Sequence, residues 1–326
     1  MNEHRIISGI KPSGKLHIGN YLGMIMNAVK LQEEFDCFFM VADMHSLTED
    51  YNPKNKREQI LDLAISLLAS GLDPEKSAIF IQSHLPQHAE LTWYFNTITP
   101  VGELERMTQF KDFVRRGHSP NVGLFDYPVL QAVDILLYKP TAVPVGQDQM
   151  QHLELTNTIA KKFNARFGKT FDEVKPLLTK TSKIMSLLEP SKKMSKSLGE
   201  GHVINMDDDA KTIEKKLARA VTDTGKTKTM SPGTKNLFAL LENFGEEGEI
   251  KFYQEAFQNG NIKYSDLKKN LAKLIAHHFN DYRRKKTELA RNPGKVLEII
   301  ASGREKARNI ASQTLTEVKE KMGLVL

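Results

Sequence analysis

Two short stretches hold the residues best suited to chemistry. Pro12-Ser13-Gly14-Lys15-Leu16-His17-Ile18-Gly19-Asn20 places two glycines, an imidazole and an amide close together. Gly14 and Gly19 lack a Cβ, so a base or phosphate can come close to the backbone. A helix opening here would present free N–H groups to an anion. His17 could then donate to a phosphate oxygen, and Asn20 could do so one helical turn later. A plain turn would also use such residues. The second stretch, Lys193-Met194-Ser195-Lys196-Ser197 after Lys192, sets two ammonium groups three residues apart among small hydroxyls. That suits a loop that clamps a polyphosphate and stabilises charge building on departing pyrophosphate. Alone it would read as an exposed lysine-rich loop; its pairing with the first stretch favours the clamp.

A third group is a stripe. Tyr127, Gln131, Asp134 and Tyr138 are spaced by four and three, so on a helix they share one face. A polar stripe on an otherwise apolar helix must meet water, a partner or a ligand.

The elements that must position these groups alternate in type. Residues 5–8 are an apolar run ending at Gly9, and 11–15 have loop chemistry. Helices are predicted over 16–31, from Asn52-Pro53 to near Gly71, over 88–98 and over 127–138. Strands are predicted over 37–42, 78–82 and 141–145, the last with Pro144 pointing to an edge or exit position. The run 37–42 is continuously apolar, as in a strand covered on both faces. A polar segment fills 102–123. Strands alternating with helices imply a doubly wound α/β fold with a parallel sheet. Beyond Lys196 strand signals fade, and 207–221, 236–243, 267–279 and 293–322 read as helices. Two domains are therefore expected. One is an α/β catalytic domain over 1–200, with a connecting insertion at about 102–125 and the lysine loop at 192–198. The other is an α-helical region over 201–326.

The chain has 326 residues, 40% of them hydrophobic, enough for a sizeable core. Its single cysteine, Cys37, excludes an internal disulfide and a cysteine-based metal site, and belongs in the core. The first residues lack a signal-peptide layout and no long uncharged apolar span occurs, so a cytoplasmic protein without membrane contact is expected. The net charge is +6, and from Asp281 onward eleven Lys/Arg face six Asp/Glu. A basic tail suits a polyanion such as nucleic acid, and equally a solvated helix surface. Within it, Arg283-Arg284-Lys285-Lys286 wraps a full helical turn, so only some of the four can face one partner. His84 and His88 are four apart, but no carboxylate or cysteine pattern supports a metal, and none is expected. His277 and His278 point different ways and belong on the surface, while Trp93 sits in a helical pattern and is assigned to packing.

The first two stretches resemble the HIGH and KMSKS signatures of class I aminoacyl-tRNA synthetases. Three further blocks narrow the likeness: Val41-Ala42-Asp43-Met44-His45, Gly102-Glu103-Leu104-Glu105-Arg106-Met107-Thr108-Gln109-Phe110-Lys111, and the segment from Tyr127 through Tyr138 to Val145-Gly146-Gln147-Asp148-Gln149. Together the five closely resemble the tryptophanyl-tRNA synthetase family, in the family's order and over most of the chain.

The resemblance implies a Rossmann-like catalytic domain and a C-terminal helical domain that reads the anticodon. It also implies activation of L-tryptophan by ATP to tryptophanyl-adenylate and pyrophosphate, then transfer to the 3′ end of tRNA(Trp). His17, Asn20, Lys111, Lys193 and Lys196 would serve catalysis. ATP would be held by Lys11, Pro12, Ser13, Gly19 and Asn20, its ribose by Gly146, Gln147 and Asp148, and its adenine near the Ile184 backbone. Lys193, Met194, Ser195, Lys196 and Ser197 would close on it. Asp134 would accept the indole N–H, which is a donor only. Tyr127 and Gln131 would face the α-ammonium, with Gln149 and His45 near the same pocket. Magnesium would arrive with the ATP phosphates, and the enzyme would be a homodimer. Two positions depart from the pattern: Lys11, where many relatives carry Gln, and Gln131, where many carry Met. Tyrosine enzymes also place Gln after Tyr at this spacing. A tyrosine-specific relative, a small-molecule nucleotidyltransferase and a non-catalytic paralogue are the rival readings, and intact His17, Lys193 and Lys196 argue against the last.

Overall fold

The computed structural model describes residues 4–115, 117, 119–146, 149–178, 183–223 and 229–325. Five short runs become strands: β1 (Arg5–Ile10), β2 (Asp36–Val41), β3 (Ser77–Ile81), β4 (Ala142–Val145) and β5 (Lys175–Leu178). They form one parallel sheet in the order β3-β2-β1-β4-β5. Register runs from Arg5 opposite Asp36 to Ile10 opposite Val41, and from Cys37 opposite Ser77 to Val41 opposite Ile81. β3 is buried throughout and β2 from Cys37 on, so both faces are covered, as their apolar runs require. This is the doubly wound, Rossmann-like α/β fold. Strand order reverses between β1 and β4, which opens a crevice at their carboxyl ends. The chain leaves β1 into Lys11-Pro12-Ser13-Gly14, β2 into Asp43–His45, β3 into Gln82–His84 and β4 into Gly146. In a parallel sheet these four exits lie along one edge.

Several expectations need correction. Pro144 stands one residue before the exit of β4, as one alternative had it, but not on an edge strand: β4 lies between β1 and β5. Its missing N–H is tolerable because β1 pairs with β4 only at Ile6 opposite Ala142. The polar segment holds two short helices, Val101–Glu105 and Thr108–Arg115. The stripe helix starts at Val122, capped by the Asn121 side chain, and ends at Leu136, with Tyr138 just beyond. The first helix opens at Ile18–Asn20 and passes through a π-helical turn, Tyr21–Ile25, before Met26–Leu31. Trp93 is not packing: it is 68% exposed. β5 gave no signal in sequence because Lys175, Pro176 and Leu178 face outward.

The chain forms two compact units that interleave in sequence. One comprises residues 1–14, 28–179 and 289–326; the other comprises 15–27 and 180–288. The first holds the sheet and an aromatic core that includes Phe80, Phe95, Phe163, Phe171 and Tyr138. Its last piece is the helix Pro293–Lys321, which lies against edge strand β3. A Cβ on Gly303 would come 2.1 Å from the Ile79 carbonyl oxygen, so only glycine permits this approach. The second unit is mainly helical: Ala210–Ala218, Pro232–Phe244, Glu247–Gln258, Tyr264–His278 and Asn280–Arg291 as far as Glu288, with Leu217, Leu237, Leu267 and Ile275 buried among them. The expected single boundary at residue 200 therefore differs from the packing. Residues 289–326 join the sheet, whereas 15–27 and 183–200 join the helices. The Gly303–Ile79 approach joins residues remote in sequence, and no local pattern announces it.

Candidate active site

Asp134 is the centre of the sheet-bearing unit's polar interior. The fourth turn of its helix carries it inward, and it is 5% exposed. Its Oδ1 accepts from Gln82 Nε2 at 2.8 Å and lies 2.7 Å from His88 Nδ1. Its Oδ2 lies 2.6 Å from His45 Nε2. His88 Nε2 in turn lies 2.9 Å from the Tyr138 hydroxyl. Burial alone would raise the Asp134 pKa, but the His45 and His88 imidazoles together outweigh it and hold the carboxyl below its ordinary range. Burial, then the Asp134 charge, pushes the Tyr138 phenol up, so it stays protonated. A carboxylate offers about four acceptor positions. Two are taken on Oδ1 and one on Oδ2, so Oδ2 keeps one for a further donor.

Two turns away along the stripe, Tyr127 donates to Gln109 Oε1 at 2.6 Å and lies 2.9 Å from His152 Nε2. Burial raises its pKa, keeping the phenol protonated. Gln131 Nε2 donates to Gln149 Oε1 at 3.3 Å. The His45 ring meets Tyr127 edge-on at 6.2 Å between centroids. The stripe is thus continuous: Tyr127, Gln131, Asp134 and Tyr138 all find polar partners, and His45 is drawn in from the exit of β2. Sequence reasoning missed Gln82 and His88. Gln82 directly follows β3 at the sheet's carboxyl edge, a positional signal. His88 was weighed only as a metal ligand, and its true partner lies on another helix.

Beside this network, a cavity of about 260 Å³ is lined by Lys11, Ser13, Ser46, Glu49, Tyr51 and Lys56, among others. Lys11 Nζ pairs with Glu49 at 2.6 Å, and Lys56 Nζ donates to the Ser46 hydroxyl at 3.0 Å. Pro12 is buried beneath this turn. Lys111 is exposed on the helix Thr108–Arg115. Gly146 follows β4 directly, whereas Gln147 and Asp148 lie outside the described residues.

The second unit brings the two signatures together. Asn20 Oδ1 accepts the His17 backbone N–H at 3.1 Å, which fixes the turn. The His17 ring lies against Gly19: a Cβ there would meet it at 3.0 Å, and Met194 Cβ at 3.7 Å. His17 is held neutral, its pKa lowered from 6.5 to about 4 by burial and then by the charges of Lys196 and Lys193. Met194 is buried, and its N–H donates to the buried Ile184 carbonyl at 3.0 Å, so the lysine loop is anchored rather than free. Ser195 Oγ caps the turn Lys196–Leu198 by accepting from Ser197 N–H. Lys193 is exposed and Lys196 half-buried. Two ammonium groups whose charges act on the His17 ring suit phosphate oxygens better than a metal ion.

The comparisons agree with this geometry. Residues 1–280 match the family model described as tRNA synthetases class I (W and Y). The tryptophan–tRNA ligase of Caldanaerobacter subterraneus subsp. tengcongensis is 43% identical over 328 residues, covering 99% of each chain. That of Rickettsia felis is 43% identical over 329 residues, 98% of this chain and 99% of the relative. Among solved structures, the Campylobacter jejuni tryptophanyl-tRNA synthetase complexed with ADP and tryptophan superposes with a TM-score of 0.87 at 35% identity, covering 98% of this chain and all of that one. The Archaeoglobus fulgidus tyrosyl-tRNA synthetase, at 22% identity and a TM-score of 0.67, shares the fold. The chain belongs to the tryptophan–tRNA ligase family of the class I tRNA synthetases.

Proposed function

We propose that the chain activates L-tryptophan with ATP and transfers it to tRNA(Trp). The observation that carries the amino-acid assignment is the Asp134 carboxylate, buried, ionised and left with one acceptor position. An indole N–H is a lone donor that fills it. Tyr127, Gln131 and Gln149 supply polar atoms for the α-ammonium, and His45 lines the same pocket. The tryptophan carboxylate attacks the α-phosphate, the bond to the bridging oxygen breaks, and pyrophosphate leaves. A ribose hydroxyl at the tRNA 3′ end then attacks the activated carbonyl, loses its proton, and AMP departs. No side chain need form a covalent bond, so catalysis is positioning and charge stabilisation.

For ATP, Lys11, Pro12, Ser13, Gly19 and Asn20 are assigned to the nucleotide, Gly146 with Gln147 and Asp148 to the ribose, and the Ile184 backbone to the adenine. His17, Lys111, Lys193 and Lys196 are assigned to the phosphates, with Met194, Ser195 and Ser197 shaping the loop. Among the described residues no group of three His, Cys, Asp or Glu could hold a metal. Magnesium is assigned to the ATP phosphates, where it neutralises charge. A homodimer acting on tRNA completes the reading. Among the described residues no helix is long and apolar enough to cross a membrane. The test is pyrophosphate exchange into ATP with each amino acid separately. Exchange should require tryptophan; exchange with tyrosine alone would overturn the assignment.

A further inference from the structure

The basic run on the helix Asn280–Arg291 is split by its surroundings. Arg284 and Lys285 point outward and pair with Asp281 and Glu288 on their own helix. Arg283 and Lys286, three residues apart, point inward. Lys286 Nζ reaches both oxygens of Asp207, at 2.8 and 3.1 Å, with side chains only 13% and 21% exposed. The Tyr282 hydroxyl donates to the same carboxylate at 3.1 Å. Arg283 Nη1 donates to the Asp208 carbonyl at 3.2 Å.

Asp207 and Asp208 end the segment that braces the glycine-bearing signature. Ile18 N–H donates to the Ile204 carbonyl at 3.0 Å, and Met206 N–H donates to the Leu16 carbonyl at 2.9 Å. These two bonds flank His17, which pairs with Asn205 in an isolated antiparallel bridge. Asn205 N–H donates to Asp208 Oδ2 at 2.9 Å, and Lys216 holds that carboxylate at 2.7 Å. An unbroken chain of bonded groups therefore runs from Lys286 and Tyr282, through residues 204–208, to Leu16 and Ile18 on either side of His17.

We propose that Lys286 is a positioning residue for ATP: by gripping Asp207 it fixes the 204–206 brace, and through it the place of His17, and is not itself a contact for tRNA. The Lys286–Asp207 pair is partly buried, so its removal leaves a carboxylate that must turn toward water. The brace continues directly from Asp207, so the two bonds flanking His17 loosen with it. Tryptophan groups lie on other segments and keep their own partners.

This inference rests on the assignment of His17 to the ATP phosphates. The test compares wild type, Lys286→Met, Lys286→Arg and Asp207→Asn. ATP affinity is measured by calorimetry, and KM for ATP and for tryptophan by pyrophosphate exchange. Lys286→Met and Asp207→Asn should weaken ATP about tenfold, the usual size of a coupling between linked sites. KM for tryptophan should not change, and Lys286→Arg should restore most of the loss. Wild-type ATP affinity in both variants overturns the inference. So does equal loss for both substrates, which marks general loosening, or loss of tRNA affinity alone, which marks a direct contact. Calorimetry reads the inference even if wild type exchanges with another amino acid, which would refute only the tryptophan assignment.

Discussion

Replacing Asp134 by Asn removes one charge and almost no volume, and its two consequences can be separated. The carboxylate now meets Gln82, His88 and His45 at 2.6–2.8 Å. A hydrogen bond to a charged group contributes about 1.5–3 kcal/mol, a neutral one about 0.5–1.5. Neutralising three should therefore cost about 3 kcal/mol of stability. If the amide oxygen keeps Gln82 and His88, the amino group takes the place of Oδ2. A donor then faces the indole donor, and a buried N–H without a partner costs about 1–3 kcal/mol. Tryptophan KM should rise by about 5–150-fold, with ATP KM unchanged at saturating tryptophan. A benzothiophene analogue of tryptophan, which lacks the N–H, should be a poor substrate for wild type and lose little further in the variant. Pyrophosphate exchange measures the kinetics, and a melting curve the stability. The stabilising charge is present above about pH 4, because the folded carboxyl lies below its ordinary 3.8; it is lost as pH falls through the lower folded value. A lowered melting temperature with unchanged tryptophan KM would refute the reasoning: Asp134 would then be a structural hub and not the indole acceptor.

Other expectations follow from the second unit. Lys196→Ala should slow adenylate formation by about 100-fold or more while leaving tryptophan binding unchanged by calorimetry, as expected for a group that acts on transition-state charge; normal turnover would return the loop to a solvated surface. His17 should titrate near pH 4 by NMR in the free protein and higher with ATP bound, since an anion favours the imidazolium. Because its folded pKa lies below 6.5, its contribution weakens stability as pH falls from 6.5 towards 4 and levels off below; a free-protein titration near 6.5 would show that the ring is not buried as described. Reversing Arg284 and Lys285 to Glu should weaken tRNA binding and flatten its salt dependence, with exchange intact. An unchanged salt slope would remove this outer face from the tRNA surface.

Much of the sheet was legible because β2 and β3 are apolar runs bounded by Asp43 and Gln82, and burial on both faces demands that pattern; β1 was legible as far as Ser8 but runs on through the exposed Gly9 to Ile10. β5 was not legible, since its outward Lys175 and Pro176 spell no strand. The polar stripe from Tyr127 to Tyr138 was visible as a period, but periodicity says only that a partner exists. That His88 and Gln82 would share one oxygen of Asp134 depends on how three chain segments meet, which spacing cannot encode. The same holds for the basic run, whose helical turn predicted two faces but not that Lys286 would close on Asp207. Trp93 failed for the opposite reason: its helical context suggested burial, and its side chain is exposed.

The helix Pro293–Lys321 has a consequence for how the chain is made. Edge strand β3 presents unpaired backbone groups, a template for wrong pairing until something covers it. Its cover is encoded more than two hundred residues later, at Gly303. During synthesis the helical unit has all its residues once Glu288 has emerged, while the sheet-bearing unit, begun first, still lacks its final piece. Closing such a remote contact is entropically slow. The nascent chain thus carries a finished helical unit beside an incomplete sheet, and the interval before residue 321 is made is when a chaperone or a second chain would find β3 bare.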